Sequence, residues 1–279
     1  MKKLTLLLLA LLYVTLTYAY TERDLLQKQA DINRLKEILV LDRQWVTYPD
    51  YNDRAGWDRF LGTFKDEYIR RGEKRLNYQW QVVKATDYLA FERTGNRQIM
   101  EKPFGANNGA IADLLMAELA EGKGRFVDQL INGVFNACEM TSWALAAHII
   151  VQPSHRALPA YDYPVIDLTS GDLGGLLAWT YHFMRPSFDK VDPEISRRLR
   201  HELQTRILDP YMNNDSFWWM GRNYNGRMLN NWNPWCNSNA LMCFMLLEDN
   251  RDTLAKAVHL TMESVDKFLN YIKADGACE

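Results

Sequence analysis

The 279-residue chain is poor in cysteine, with four, and in proline, with nine, and its 33 Lys+Arg against 35 Asp+Glu leave a formal charge of only −2. Each shortage excludes something. Four thiols in this length are too few for a disulfide-dense scaffold. Balanced charge removes the basic footprint of a nucleic-acid binder. No apolar run reaches the roughly 20 residues needed to span a bilayer, so no stable membrane insertion is expected. The phosphate loop G-x-x-x-x-G-K-[ST], the zinc motif H-E-x-x-H, the nucleophile elbow G-x-S-x-G and the dinucleotide motif G-x-G-x-x-G are all absent. The five histidines, His148, His155, His182, His201 and His259, show no metal-ligand grouping, and each is expected on the surface or satisfied in the core. Neither a metal nor a cofactor is expected.

What is present is a globular composition, 47% hydrophobic and 24% charged, with nine tryptophans. The N-terminus has the form of an address. Lys2 and Lys3 precede an apolar-rich run from Leu4 to Leu16, and Thr17-Tyr18-Ala19 offers small residues at the cleavage offsets. A signal peptide over 1–19 is expected, with export to the periplasm or beyond and a mature chain beginning near Tyr20. Export permits disulfides, yet Cys236 and Cys243 lie seven apart on an expected helix, roughly 10 Å at 1.5 Å per residue, too far to bridge. Cys138 falls in a helix interior and Cys278 next to the end, and the spacing matches no zinc pattern, so free buried thiols are expected.

From residue 20 onward the chain reads as one domain of successive helices. Residues 22–40 have helical spacing, and helices are expected within 57–74, around 80–92, over 108–120 and over 125–147. Glu121-Gly122-Lys123-Gly124 joins the last two as antiparallel neighbours. Asp192-Pro193-Glu194 supplies a cap, a first-position proline and a first-turn acid. The helix it opens carries Ile195, Leu199, Leu203, Ile207 and Tyr211, four apart throughout, and a final helix over about 251–272 repeats at threes and fours. No segment alternates convincingly. The fold class is therefore all-α, built from antiparallel helical hairpins whose rhythm suits a toroid or solenoid, with a long proline-bearing loop over 152–170.

Two features carry chemistry. Residues 213–239 hold nine asparagines and four tryptophans, with Asp215, Arg222 and Arg227 as the only charges. Neutral amides beside indole faces are what a sugar ring needs, since hydroxyls bond amides and C–H faces pack on aromatic rings. Trp219, Asn230, Trp232, Trp235 and Asn239 are the candidate contacts here. The second feature is a stripe on the helix expected over 125–147. Asn132, Asn136, Glu139 and Trp143 recur at 4, 3 and 4, within about 60° of one another, opposite Val127, Leu130, Ile131, Val134 and Cys138. An amide-and-indole stripe suits the wall of a cleft shared with the asparagine–tryptophan segment. His148 projects toward the apolar side of this wheel and reads as a core or helix-end residue.

At these residues the sequence resembles the heparinase II/III-like polysaccharide lyases. The stretches are Ala117-Glu118-Leu119-Ala120-Glu121-Gly122-Lys123-Gly124-Arg125, Cys138-Glu139-Met140-Thr141-Ser142-Trp143, Val165-Ile166-Asp167-Leu168 and Asp275-Gly276-Ala277-Cys278-Glu279. The most specific is Asn230-Asn231-Trp232-Asn233-Pro234-Trp235-Cys236-Asn237-Ser238-Asn239. The resemblance implies an incomplete (α/α) toroid followed by a β-sandwich, and β-elimination on uronic-acid polysaccharides. There an asparagine neutralises the substrate carboxylate, a role that Asn231 fits by position, and a tyrosine some fifty residues later acts as acid or base. The chain stops at Cys278-Glu279, before that tyrosine, so a toroid truncated at its C-terminal end is expected. Acidic polysaccharide is the expected partner. A non-catalytic glycan-binding protein is one alternative. A helical-toroid glycoside hydrolase, which would pair two carboxyls such as Glu139 and Asp172, is another. Pro234 favours Asn233 as the cap of the helix that follows, which leaves Asn231 free to face the cleft.

Overall fold

A computed structural model of the chain describes residues 22–223, 228–272 and 276. The expected signal peptide, Asn225, Arg227 and Cys278 lie outside the described residues. Within them the fold is all-α with no strand, and no helix is long and apolar enough to cross a membrane.

The first half runs α1 (Ile32–Ile38), α2 (Arg54–Leu61), α3 (Lys65–Glu73), α4 (Ala85–Thr94), α5 (Gln98–Glu121), α6 (Val127–Cys138) and the single turn α7 (Ala146–Ile149). The second half runs α8 (Leu168–Val191), α9 (Pro193–Leu203), α10 (Asp209–Asn213), α11 (Trp232–Leu247) and α12 (Arg251–Leu269). Three hairpins organise the chain, α5–α6, α8–α9 and α11–α12, with packing passing from α6 to α9 and from α8 to α11. The short α1 closes on α12. Just before it, the buried Asp266 carboxylate of α12 accepts the backbone N–H groups of Leu26 and Gln27, both at 2.9 Å.

The hairpin signals are realised in detail. Gly122 and Gly124 turn between α5 and α6 at φ of 67° and 79°, where a β-carbon is strained. The fully buried Glu118 pins that turn by accepting from Gly124 N at 2.8 Å and Phe126 N at 3.2 Å, and from the Tyr51 hydroxyl at 2.6 Å. Burial first, then this bond to Glu118 and its charge, push the Tyr51 hydroxyl up to about 12. Asp192 caps α9 through Glu194 N at 2.8 Å, with Pro193 at its first position. The four-spaced residues Ile195, Leu199, Leu203, Ile207 and Tyr211 are all buried, although one π-helical turn over Gln204–Leu208 separates α9 from α10.

Several boundaries differ from the sequence expectation: the helix expected over 108–120 already begins at Gln98, that around 80–92 runs over Ala85–Thr94, and 57–74 divides into α2 and α3. The 22–40 region is helical only over α1, with turns over 25–29. The helix expected over 125–147 stops at Cys138, because the indole N–H of the buried Trp143 folds back onto the carbonyl of Ala137 at 2.9 Å. The chain then runs irregularly to Leu145, whose ψ of 146° is extended. Helix α11 begins at Trp232 instead of after Asn233, so Pro234 occupies its third position, where the missing N–H costs nothing. Cys138, Cys236 and Cys243 are free and buried, as the spacing implied.

Candidate functional site

The first two turns of α11 divide the asparagine–tryptophan segment into two faces. On the buried face, Asn233 donates to Trp219 O at 2.6 Å and to Ser264 O at 2.9 Å, tying α11 to the turn before it and to α12. One turn on, Asn237 accepts from the Tyr211 hydroxyl at 2.6 Å and donates to Ser264 Oγ at 2.8 Å. Both amides are fully buried. Trp219 belongs to the same face. It is 1% exposed, its N–H bonds Ile166 O at 2.9 Å, and it stacks on Phe217, so it fills the core and offers no face to a sugar.

The other face is open. Asn231 holds the cap position of α11, but its side chain makes no capping bond and, among the described residues, no other hydrogen bond. The capping work falls to Asn230, whose side-chain oxygen accepts from Trp232 N at 3.1 Å. Asn233 is therefore an interior tie and not the cap that Pro234 suggested; Asn231 takes the cap position itself, with its side-chain amide unengaged. Beside it the Trp232 ring meets Trp218 at 5.4 Å. Trp218 and Trp235 are 43% and 42% exposed. Asp172 of α8 gathers the rim of this face, with one carboxylate oxygen accepting from the Trp235 indole at 2.7 Å and from Asn239 Nδ2 at 2.9 Å. Helix α8 comes close here because it carries Gly171 and Gly175. A β-carbon at either position would sit 3.2 or 3.0 Å from Asn239. No acidic residue occupies the first turn of α11, so the positive end of its dipole favours an approaching anion.

Sequence reasoning missed a histidine at this face. His148 of α7 packs its ring edge-on against Trp232, with centroids 4.7 Å apart. Its Nδ1 lies 2.6 Å from Asp167 Oδ2, and its Nε2 lies 3.4 Å from a guanidinium nitrogen of Arg97. Asp167 is fully buried and caps α8 through Ser170 N at 2.7 Å, while also accepting from Leu145 N at 3.1 Å. The helical wheel put His148 on an apolar face because it assumed one helix to residue 147. The break at Cys138 rotates the residue out of that frame.

The stripe on α6 does not survive as one surface. Asn132 bonds Gln129 at 2.9 Å, and Asn136 accepts from Asn107 at 3.0 Å. Glu139 pairs with Arg198 at 3.2 Å. Trp143, beyond the helix end, is 2% exposed under the guanidinium of Arg206, 5.2 Å from its ring centroid. Together with Ser142, Tyr161, Tyr163 and Glu202 it lines a separate cavity of about 160 Å³ beneath the long loop. No hydrogen bond, ion pair or ring contact joins these four residues to the α11 face among the described residues. Glu139 and Asp172 likewise hold different partners, Arg198 on one side and Trp235 with Asn239 on the other. No group of three or more His, Cys, Asp or Glu among the described residues is arranged to hold a metal ion. No protein-family model matches the chain, and no curated protein matches it.

Proposed function

We propose that the chain is the glycan-holding helical portion of a polysaccharide lyase, exported by its N-terminal segment and acting by β-elimination on uronic-acid polymers. The observation that carries this is the unengaged amide of Asn231, set among the tryptophans Trp218, Trp232 and Trp235 at the positive end of α11. β-Elimination removes the C5 proton beside a carboxylate, so negative charge moves onto that carboxylate in the transition state. An amide donor waiting there stabilises the transition state more than the ground state. The indole faces suit the C–H faces of the flanking sugars, while Asp172 and Asn239 accept from and donate to their hydroxyls.

An incomplete (α/α) toroid is the architecture proposed with this function. Its support is the succession of three antiparallel hairpins, each packed on the next. Under this reading the residues at the face act as follows: Asn231 neutralises the carboxylate, and Asn230, Trp232, Trp235 and Asn239 hold the polymer. Asn132, Asn136 and Glu139 would serve only a longer stretch of bound chain.

The test is direct. The full chain is mixed with alginate, heparan sulfate and chondroitin oligosaccharides, binding is read by calorimetry, and turnover by the ultraviolet absorbance of the unsaturated product. Binding with product formation is the expected result. Absence of binding across the panel rejects the function, and binding without product identifies a glycan-binding protein instead.

A further inference from the structure

We infer that His148 is a catalytic acid–base of this face, with Nε2 as the atom that moves the proton and Asp167 as the residue that positions it. The inference rests on the lyase function proposed above and adds to it a proton-transfer residue argued from the hydrogen bonds of the His148 ring.

The geometry selects one tautomer from both sides of the ring. An ionised carboxylate only accepts, so Nδ1, 2.6 Å from Asp167 Oδ2, carries the ring proton. A guanidinium stays protonated and only donates, so Nε2, 3.4 Å from Arg97, presents its lone pair. The two neighbours are independent and agree. Asp167 cannot swing away, because Ser170 N, Leu145 N and the Thr169 hydroxyl hold the same carboxylate in a fully buried position. The ring plane is fixed as well by the edge contact with Trp232, the chain neighbour of Asn231. A base held by a buried carboxylate, with its free nitrogen directed away from that carboxylate, is the arrangement general acid–base chemistry uses.

Arg97 adds to this. Its contact with Nε2 is long for a hydrogen bond, while its Nε is anchored to Glu101 at 2.6 Å. A bound sugar can therefore displace the guanidinium from the histidine without freeing it from Glu101, and the displaced N–H groups remain at hand for the uronate carboxylate.

The reaction balances on these groups. Nε2 takes the C5 proton, and the C5–H electron pair becomes the second bond between C4 and C5. The C4–O bond breaks, its electrons staying on the glycosidic oxygen. That oxygen takes the proton back from Nε2, which restores neutral His148 and releases the saturated end of the cut chain.

The experiment uses the full chain labelled with ¹⁵N at histidine. Long-range proton–nitrogen spectra assign the tautomer, and the His148→Gln variant identifies the His148 signals. The expected result is a proton on Nδ1 and none on Nε2. In Asp167→Asn, where the side-chain amide keeps an oxygen for the α8 cap, the proton is expected to move to Nε2. With alginate, heparan sulfate and chondroitin oligosaccharides as probes, His148→Gln should lower kcat by about 10²–10⁴ and leave KM within about threefold. A wild-type proton on Nε2, a His148→Gln activity within about threefold of wild type, or binding without product overturns the inference. If no probe binds the wild type, it is the glycan function that fails, and the tautomer alone decides whether Nε2 is a proton-transfer atom.

Discussion

Two faces of α11, one turn apart, use the same residue type in opposite ways. Asn233 and Asn237 are fully buried and are bound to Trp219, Ser264 and Tyr211, so their amides tie three segments together. The side chain of Asn231, nearer the solvent end, is bound to nothing among the described residues, and Trp218 and Trp235, on the same face as Trp232, are exposed. The difference shows that the density of asparagine over 213–239 has two causes. Asn233 and Asn237 build the helix junction, and Asn231 leaves its amide unengaged at the open face.

The comparison breaks most readily at its buried side. Asn237→Ala removes the acceptor of the Tyr211 hydroxyl and the donor to Ser264 inside the core, and should cost about 2–4 kcal/mol of stability. Urea or thermal unfolding reads this directly. A loss below about 0.5 kcal/mol would mean the buried amides are as dispensable as surface ones.

A second measurement follows from the buried thiols, Cys236 and Cys243 on α11 and Cys138 at the end of α6. Burial pushes Cys243 and Cys138 up to about 12, and Cys236 well above the ordinary thiol value. In the unfolded chain these groups ionise near 8.5, so above that pH the unfolded state releases protons that the folded state keeps. Stability is then whole below about pH 8.5 and falls as pH rises toward the folded values, by about 1.4 kcal/mol per pH unit for each thiol. Alkylation mapped by mass spectrometry at pH 8 should leave all three unmodified in the native protein and label them in urea. Rapid native labelling of Cys236 would show that the α11 junction opens.

The smallest effects belong to the exposed tryptophans of the open side. Trp218→Ala and Trp235→Ala should each weaken oligosaccharide binding by about 0.5–1.5 kcal/mol, roughly two- to tenfold, with stability unchanged within about 0.5 kcal/mol. If either variant unfolds the protein instead, its exposed indole is structural and the two faces are not distinct.

Much of the fold was legible because it rests on local signals. The Gly122–Gly124 turn, the Asp192–Pro193 cap and the four-spaced apolar series from Ile195 to Tyr211 all depend on residues within one or two turns of each other. The misplaced elements depended on contacts that periodicity does not carry. Helix α6 ends where Trp143 returns to Ala137, which a wheel drawn through residue 147 cannot register. Asn233 carried a cap signature, yet the tertiary bond to Ser264 drew it inward and shifted the helix start by two residues.

The site divides in the same manner. Asn231, Trp232 and Trp235 stood out because an amide and an indole together are uncommon at such density. His148 did not, because its partner Asp167 lies nineteen residues away across the long loop. The usable signal was Asp167 itself, an N-cap residue before a long apolar helix. A capping carboxylate has a second oxygen to spend, and here it spends it on the histidine.

The open face of α11 is proposed to work on a glycan, while the buried face holds the helix. That role is tested most directly by the turnover of uronic-acid oligosaccharides by Asn231→Ala, measured beside wild type with circular dichroism as the check on folding. The expected result is a kcat lower by about 10²–10³ with KM little changed and the helical spectrum intact. Activity within about threefold of wild type would contradict it and return Asn231 to the structural residues.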